Sequence, residues 1–251
     1  MKNRDAYLLE MGLGPLWKLR NPAESQTPSA VSDERADAVV ALSTPEVQLV
    51  AAPLLDARRL AISQMDWPEL NTSAAACRAC DLCKTRKQAV LGVGDVQADW
   101  LFVGEGPGAE EDERGEPFVG QAGKLLDAML AAIDLKRGED VYIANAVKCR
   151  PPNNRTPEPA ETAACWPYLQ RQIDLLKPKL IIALGRPAAQ SLLQTEVKIS
   201  ASRGKLFEHR GIPVIVTYHP AYLLRTLQDK AKAWEDLLFA RNTMRTLKES
   251  N

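Results

Sequence analysis

A group of closely spaced cysteines, followed by two distant ones, is the first feature of this chain that could do chemistry. The five are Cys77, Cys80, Cys83, Cys149 and Cys165. Disulfides are rare in a reducing cytoplasm, whereas Cys-x-x-Cys followed by further thiols is typical of a four-thiolate metal or iron-sulfur site. Either Cys77 with Cys80, or Cys80 with Cys83, gives a pair of thiols separated by two residues. Cys149 and Cys165 would then complete a set of four ligands. The spacing alone leaves both sets open.

A glycine-rich stretch at residues 104–118 directly follows the apolar run 100–103. Because glycine has no Cβ, a buried strand that opens into such a loop brings bare backbone close to a ligand. The stretch carries Glu105, Glu110 and Glu111 and has no Gly-Lys-Ser/Thr. It therefore fits a phosphate-binding loop poorly and favours a ligand that offers hydrogen-bond donors.

The elements around this stretch alternate between short apolar runs and segments of helical period. Strands are predicted at 100–103, 141–146, 180–184 and 214–218. Apolar residues between 122 and 133 fall on one helical face, and further helices are predicted at 158–176, 187–194 and 229–248. This alternation predicts a three-layer α/β/α fold with a central, mainly parallel four-stranded sheet, whose functional residues gather at the carboxyl ends of the strands.

Reading the predicted strand ends gives a set of side chains suited to recognising a base. Asn145 ends the second strand, His219 follows the fourth, and Phe118 lies in the loop after the first. An asparagine amide matches the N3-H and O4 of uracil and mismatches cytosine, while Phe118 can stack on the ring. His219 would donate to a carbonyl oxygen on which charge grows as a glycosidic bond breaks.

Four motifs in this chain closely resemble those of family 4 uracil-DNA glycosylases. They are Gly-Glu-Gly-Pro-Gly-x-Glu-Glu-Asp at 104–112, Pro-Phe-Val-Gly-x-Ala-Gly at 117–123, Tyr-Ile-x-Asn-x-Val-Lys-Cys-Arg-Pro-Pro-x-Asn-Arg at 142–155 and His-Pro-Ala-Tyr-Leu-Leu-Arg at 219–225. The resemblance extends over about residues 75–248. It implies the fold of these glycosylases and the release of uracil from DNA in base excision repair.

The resemblance also implies roles for individual residues. The ligands of a 4Fe-4S cluster would be Cys77, Cys80, Cys149 and Cys165, with Cys83 as a bystander. The uracil-binding residues would be Glu105, Gly106, Pro107, Glu111, Phe118, Asn145 and His219. Among these, Glu111 would wall the pocket near C5 of uracil and so disfavour thymine.

The expected reaction extrudes deoxyuridine from DNA and cleaves it with oxocarbenium character at the sugar, while His219 stabilises the departing uracil anion. Gly106 stands where some relatives have a general-base aspartate, so water activation rests on Glu105 or on no strong base. The catalytic residues are thus predicted to be Glu105, Asn145 and His219. The predicted DNA contacts are Arg150, Arg155, Leu224 and Arg225, the last two in a segment that either wedges into the duplex or packs as the start of a helix.

The glycosylase resemblance leaves the N-terminal part of the chain unexplained. Residues 1–20 resemble the N-terminal peptide of the psi subunit of bacterial DNA polymerase III, which implies a clamp-loader or replisome partner. A short helix is predicted from Ala6 to Met11. The expected organisation is a partner-binding peptide at 1–20, a partly disordered linker at 21–70 and the glycosylase domain at 71–251. The alternative function is a psi-like replisome adaptor built on a glycosylase scaffold.

The composition fits these expectations. With 32 basic and 32 acidic residues the formal net charge is zero, which argues against holding nucleic acid by bulk electrostatics alone. The chain has no apolar run long enough to span a membrane and no signal-peptide pattern at its start. A cytoplasmic protein without a membrane partner is expected.

Overall fold

The computed structural model describes residues 51–249. The predicted helix from Ala6 to Met11, the psi-like peptide and residues 21–50 of the predicted linker lie outside this range. The α-helices are α1 Ala51–Gln64, α2 Trp67–Ala76, α3 Ala109–Arg114, α4 Gln121–Ala131, α5 Pro159–Leu176, α6 Arg186–Leu193, α7 Ile199–Ser202, α8 Pro220–Leu223 and α9 Lys230–Glu249. The strands are β1 Gly92–Gly94, β2 Trp100–Gly104, β3 Val141–Asn145, β4 Leu180–Leu184, β5 Leu206–His209 and β6 Ile212–Thr217.

The strands form one mixed sheet in the order β1-β3-β2-β4-β6-β5. The four central strands are parallel, so the predicted α/β/α fold is confirmed. The predicted number of strands is wrong, because β1 and β5 add antiparallel edges. The sequence hid them because β1 is only the tripeptide Gly-Val-Gly and β5 is largely exposed. Neither carries the apolar run of a buried strand.

The sheet separates two hydrophobic cores because successive strand side chains point to opposite faces. Trp100 and Phe102 of β2 pack on one side with α4 and α9. Leu101 and Val103 pack on the other side with α5 and α6. Every residue of β2, β3 and β4 is buried, which explains why these strands read as continuous apolar runs rather than alternating ones.

Two helices precede the first cysteine and pack onto the domain. Ile62 of α1 and Leu70 of α2 are buried in a third apolar cluster with Val147 and Tyr168. Asp66 begins α2 with a capping box, since it accepts from the N-H of Glu69 while the Glu69 side chain accepts from the N-H of Asp66. The boundary predicted at residue 71 therefore needs correction, because it falls inside α2 and separates a buried leucine from its core.

The direction of the parallel strands determines where the loops that follow them lie. The carboxyl ends of the four parallel strands lie at one edge, where the loops that follow β2, β3, β4 and β6 come together. In residues 51–249 no helix has the length and apolar character needed to cross a membrane.

Candidate active site

A cleft of about 860 Å³ lies at the carboxyl edge of the sheet. Each parallel strand contributes to its lining through the loop that follows it. Every predicted uracil-binding residue lines this cleft, namely Glu105, Gly106, Pro107, Glu111, Phe118, Asn145 and His219. The structure therefore brings together residues that are up to 114 positions apart in the sequence.

Asn145, at the end of β3, is the buried polar residue of the cleft. Only 2% of its surface is exposed, and its Oδ1 atom has no hydrogen-bond partner among the described residues. Gly104 makes room for it, since a Cβ at that position would lie 2.4 Å from Asn145 Oδ1 and 2.5 Å from Phe118 Cζ. An unsatisfied buried acceptor costs free energy, so this oxygen is suited to receive a donor from a ligand.

Phe118 forms an aromatic wall beside Asn145. Its backbone has a φ of 57°, a left-handed conformation that residues other than glycine rarely adopt. Arg137 holds this conformation, because its guanidinium donates to the carbonyls of Pro117 (2.9 Å) and Phe118 (2.8 Å) and to Asp127 (2.9 Å). The Phe118 ring lies 5.4 Å from the ring of His219, at an interplanar angle of 30°.

His219 follows β6 and caps the short helix α8. Its Nδ1 accepts from the N-H of Ala221 at 3.1 Å, so in the neutral imidazole the proton is on Nε2. Burial, and then the positive charge of Arg225, lower the pKa of His219 to about 4. The ring is therefore neutral at physiological pH and can donate through Nε2. Gly185, with a φ of +87°, allows the approach, since a Cβ there would lie 3.0 Å from His219 Cβ.

Glu105 follows β2 on another wall of the cleft. Burial raises the pKa of its carboxyl group above the ordinary 4.5, against the opposing effects of a hydrogen bond with Thr156 and the charge of Arg186. A carboxylate with a raised pKa binds protons more readily than one in water. Glu105 can therefore act as a proton acceptor beside the cleft.

Glu111, in the first turn of α3, lines the cleft but also holds its loop together. One carboxylate oxygen accepts from the N-H of Val119 (3.0 Å) and of Gly120 (3.1 Å), and the other from the N-H of Gly108 (3.1 Å). These bonds join the start of α3 to the backbone immediately after Phe118. Glu111 thus has a structural task that the sequence analysis did not assign to it.

The predicted DNA contacts have different surroundings. Arg225 lines the cleft, and Leu224 is 41% exposed next to it. The neighbouring Leu223 is buried, so the segment packs through that side chain and exposes the next one. Arg155 lines the cleft, but two of its nitrogens bind Glu161 at 2.8 and 2.7 Å. Arg150 donates to Asn154 at 2.8 Å.

The five cysteines line one small cavity between α2, the 3₁₀ helix Asp81–Lys84 and α5. Cys149 and Cys165 are buried, and the other three are partly exposed. Cys83 lines the same cavity as the four predicted ligands. Within residues 51–249, no group of three or more His, Cys, Asp or Glu side chains has the arrangement that would hold a metal ion.

Hydrogen-bond donors surround the cysteine sulfur atoms. Arg86 donates to Cys149 Sγ at 2.8 Å, and Arg58 of α1 approaches Cys77 Sγ at 3.6 Å. The backbone N-H of Lys148 donates to Cys165 Sγ at 3.2 Å. Two guanidinium groups and a backbone amide stabilise thiolates better than neutral thiols, which are weak acceptors. Burial acts in the opposite direction and raises the pKa of Cys149 and of Cys165.

His209, the other of the two histidines of the chain, is a buried residue. It ends β5 and is only 8% exposed. Its Nδ1 is paired with the carbonyl of Leu192 (3.0 Å) and its Nε2 with Gln170 (3.1 Å). The exposed turn is formed by the next two residues, both with positive φ.

Comparison with known proteins agrees with this geometry. A family model described as the uracil DNA glycosylase superfamily matches residues 91–238. The chain belongs to this superfamily. The matched part contains the loops that follow β2, β3, β4 and β6, and so every predicted uracil-binding residue that lines the cleft.

Several curated relatives of this glycosylase superfamily member carry the name type-4 uracil-DNA glycosylase. One from Archaeoglobus fulgidus is 52% identical over 157 residues, which is 59% of this chain and 78% of the relative. One from Pyrobaculum aerophilum is 45% identical over 181 residues, 69% of this chain and 92% of the relative. One from Thermotoga maritima is 47% identical over 158 residues, 62% of this chain and 82% of the relative. These comparisons do not support the alternative role as a psi-like adaptor.

Sequence reasoning missed some residues of this glycosylase site. Arg137 fixes the Phe118 backbone from a turn 19 residues away, and no local pattern distinguishes it from a surface arginine. Tyr218 was missed as well. It stacks in the cleft wall on Tyr222, a residue of the motif at 219–225, with centroids 5.1 Å apart. Their spacing of four residues around His219 was a signal that the sequence did contain.

Proposed function

We propose that this protein is a uracil-DNA glycosylase, which flips deoxyuridine out of DNA and hydrolyses its N-glycosidic bond in base excision repair. The observation that carries the proposal is the buried, unpartnered Oδ1 of Asn145 in the cleft. A ligand that supplies a donor to this atom removes an unsatisfied acceptor, and N3-H of uracil is such a donor.

Recognition of uracil follows from the amide of Asn145. Oδ1 accepts from N3-H while the adjacent Nδ2 donates to O4, so one side chain reads two neighbouring groups of the base. Cytosine presents an acceptor at N3, which would face the oxygen and leave both unpaired. Phe118 supplies the stacking surface that offsets part of the cost of unstacking the base. Glu111 lines the cleft near C5 of uracil and so disfavours the methyl group that thymine carries there.

The reaction breaks the bond between C1′ of the sugar and N1 of uracil. The bonding electrons leave with the base as a uracil anion, and the sugar takes on oxocarbenium character. Neutral His219 donates its Nε2 proton as a hydrogen bond to the uracil oxygen on which this charge accumulates. Water then adds to C1′ and gives up a proton, for which the raised pKa of Glu105 makes it the available acceptor. The products are uracil and an abasic site.

Contacts with the DNA come from the rim of the cleft. Arg225 would bind a phosphate and Leu224 would occupy the space left in the base stack. Arg155 and Arg150 have a smaller part in DNA binding than the sequence analysis assigned to them, because Glu161 and Asn154 already bind their guanidinium groups.

We infer that the cysteine cavity holds a 4Fe-4S cluster on Cys77, Cys80, Cys149 and Cys165. The donors at Cys77, Cys149 and Cys165 support an anionic group at this place. When bound, such a cluster would join the segment 77–83 to the loop and helix at 149–165. In a single-ion site all thiolates lie about 2.3 Å from one metal, whereas a cluster spreads its ligands over several irons. A cluster therefore does not need the arrangement around one ion that is absent from residues 51–249.

The proposal is tested by measuring uracil release from a single-stranded oligonucleotide that contains one deoxyuridine, with purified, iron-loaded protein. Asn145→Ala and His219→Ala should each lower the rate about a hundred- to a thousandfold. Ser200→Ala, an exposed change in the same cleft, should leave the rate unchanged. A folded, iron-loaded protein that releases no uracil would overturn the proposal.

The psi-like peptide at residues 1–20 stays a prediction from the sequence. Its test is enrichment of clamp-loader subunits by the full chain, with loss of that enrichment on changing Leu16 and Trp17 to alanine.

A further inference from the structure

A second groove, of about 470 Å³, opens beside the active-site cleft. The two share Thr156, Pro157 and Pro187 in their walls, so they are immediate neighbours. Helices α1, α5 and α6 line the second groove, whereas the cleft is built from the loops that follow the strands. We call it the Arg59 groove, after the residue that α1 contributes. Its volume is within the range of about 300–1,000 Å³ usual for pockets that bind small ligands.

The walls of the Arg59 groove are mostly uncharged, with one cationic and one anionic side chain. Its walls are largely proline, threonine and glutamine, and its one carboxylate, Glu196, accepts from Gln190 Nε2 at 2.8 Å. Arg59 is exposed and makes no hydrogen bond or ion pair with any other residue in 51–249. A guanidinium without an internal partner is available for a phosphate.

Trp166 of α5 supplies an aromatic ring to the groove wall. His209 packs against it edge-on, with centroids 5.5 Å apart and an interplanar angle of 86°. Because Leu192 and Gln170 hold the imidazole of His209 by hydrogen bonds, the indole is supported by a rigid neighbour. A fixed aromatic ring is the usual stacking platform for an unpaired base.

Two further polar groups belong to the walls of the groove and of the adjoining cleft. Ser191 Oγ is buried in its wall without a partner among the described residues, as Asn145 Oδ1 is in the cleft. Where the two sites adjoin, Arg186 lines the cleft next to Pro187; its charge acts on Glu105, but it makes no hydrogen bond or ion pair within residues 51–249. Cations thus lie both where the sites adjoin and on the helical wall of the groove.

We propose that the Arg59 groove binds the single-stranded segment of the uracil-containing strand next to the flipped nucleotide, with Arg59 on a phosphate and Trp166 against a base. The proposal rests on the glycosylase function and extends its footprint to one side of the cleft. Arg59 lies upstream of residues 91–238, so the family match does not include it.

The test uses two single-stranded oligonucleotides of equal length, each with one 2′-fluorodeoxyuridine. The electron-withdrawing fluorine disfavours the oxocarbenium-like transition state, so binding can be measured without cleavage. In one probe the analogue is near the 5′ end, and in the other near the 3′ end, so flanking nucleotides extend to one side only. Fluorescence anisotropy gives the affinity of the iron-loaded protein for each probe at several salt concentrations.

The wild type should bind one probe about tenfold tighter than the other, because only one side of the cleft has the groove. Arg59→Gln should abolish that difference and lower the slope of log K against log salt by about 0.7 for the tighter probe, the value for one phosphate contact with a single strand. Lys177→Gln removes the same charge at the opposite edge of the sheet, before β4, and should change neither quantity.

Equal binding of the two probes by the wild type would overturn the proposal, as would an Arg59→Gln variant that behaves like Lys177→Gln. An effect of Arg59→Gln on duplex but not on single-stranded probes would also contradict it. Uracil release from an unmodified oligonucleotide is measured in parallel. A protein that releases uracil but shows no difference between the probes loses the groove assignment and keeps the glycosylase function.

Discussion

At the scale of single residues, three side chains give the cleft three different chemical groups. Asn145 presents an unsatisfied acceptor, Phe118 presents a ring, and His219 presents a donor on Nε2. Their properties depend on backbone neighbours as much as on residue type. Gly104 allows the amide and the phenyl ring to meet, and the N-H of Ala221 sets the tautomer of the imidazole.

The depressed pKa of His219 predicts the pH dependence of uracil release. With a pKa of about 4, His219 is neutral at every pH well above that value, so the rate should show no step near 6.5. The rate should fall as the pH drops through the pKa of Glu105, which burial raises above 4.5. Single-turnover rates between about pH 4 and 8 measure this profile.

Glu105→Gln provides the control for that profile. The variant should be slower and should lose the acid step due to Glu105, so that only the step of His219 near pH 4 is left. A wild-type profile with its midpoint near 6.5 would show that His219 is not buried in its neutral form.

The ligand set of the cysteine cavity can be tested with two neighbouring cysteines. Cys80 and Cys83 line the same cavity, and only the first belongs to the proposed set. Cys80→Ser should lose the visible absorbance of the cluster together with most of the iron and sulfide. Cys83→Ser should retain the visible absorbance, the iron and the sulfide. The reverse result would exchange the two residues as ligand and bystander.

At the scale of elements, the cleft depends on how its first loop is anchored. Glu111 in α3 binds three backbone N-H groups of the loop, and Arg137, in the turn after α4, binds two carbonyls at Phe118. The loop is therefore held from both ends by charged groups bonded to its backbone. Such charge-assisted bonds are stronger than neutral ones.

Removal of Arg137 should displace Phe118 while leaving the catalytic groups in place. Arg137→Ala leaves the carbonyls of Pro117 and Phe118 without their donor, and the free energy of unfolding should fall by about 1–3 kcal/mol. Because Phe118 loses the support of its φ of 57°, KM for uracil-containing oligonucleotide should rise about tenfold or more. Denaturant unfolding and steady-state kinetics measure both effects.

Lys136→Ala is the matched control for this change. Lys136 precedes Arg137 and pairs only with the exposed Glu139 in the described part of the chain, so its loss should change neither quantity. An Arg137→Ala variant with normal KM would show that the Phe118 loop holds its conformation without the guanidinium.

At the scale of the whole molecule, the cysteine cavity joins parts of the chain that lie far apart. Its walls come from the segment at 74–86 and from residues 148–168, and α1 reaches it through Arg58, which also donates to the carbonyl of Ala164 at 2.9 Å. A group that binds thiolates of both segments in the folded chain, and not in the unfolded one, adds its binding free energy to the stability of the fold.

Removal of iron should therefore destabilise the domain. Treatment with chelator and oxidant should lower the melting temperature by about 5 °C or more, as expected if the bound group contributes a few kcal/mol to a domain of this size. Cys149→Ser, which lacks a ligand from the start, should melt at the lower temperature and should not respond to the chelator. An equal melting temperature with and without iron would contradict this role.

Much of the architecture was predictable from local pattern, and the exceptions have physical causes. The central strands β2, β3, β4 and β6 were predicted because residues buried on both faces leave continuous apolar runs. The edge strands β1 and β5 were missed because a tripeptide with two glycines and an exposed hairpin strand owe their structure to the neighbours with which they pair. Helices α1 and α2 were missed for a related reason, since Ile62 and Leu70 are buried only through the tertiary cluster with Val147 and Tyr168.

The sequence by itself determined the order of the central elements, the residue types at the ends of the strands and the presence of thiols spaced for a shared ligand. All of these follow from short-range periodicity and spacing. Only the tertiary structure decided that Asn145 Oδ1 lacks a hydrogen-bond partner among the described residues and that the pKa of His219 is lowered to about 4. It also decided that the Arg155 guanidinium binds Glu161, and that α1 adds Arg59 to a groove beside the cleft. Hydrogen-bond satisfaction and desolvation depend on every group that surrounds an atom, and those groups come from distant parts of the chain.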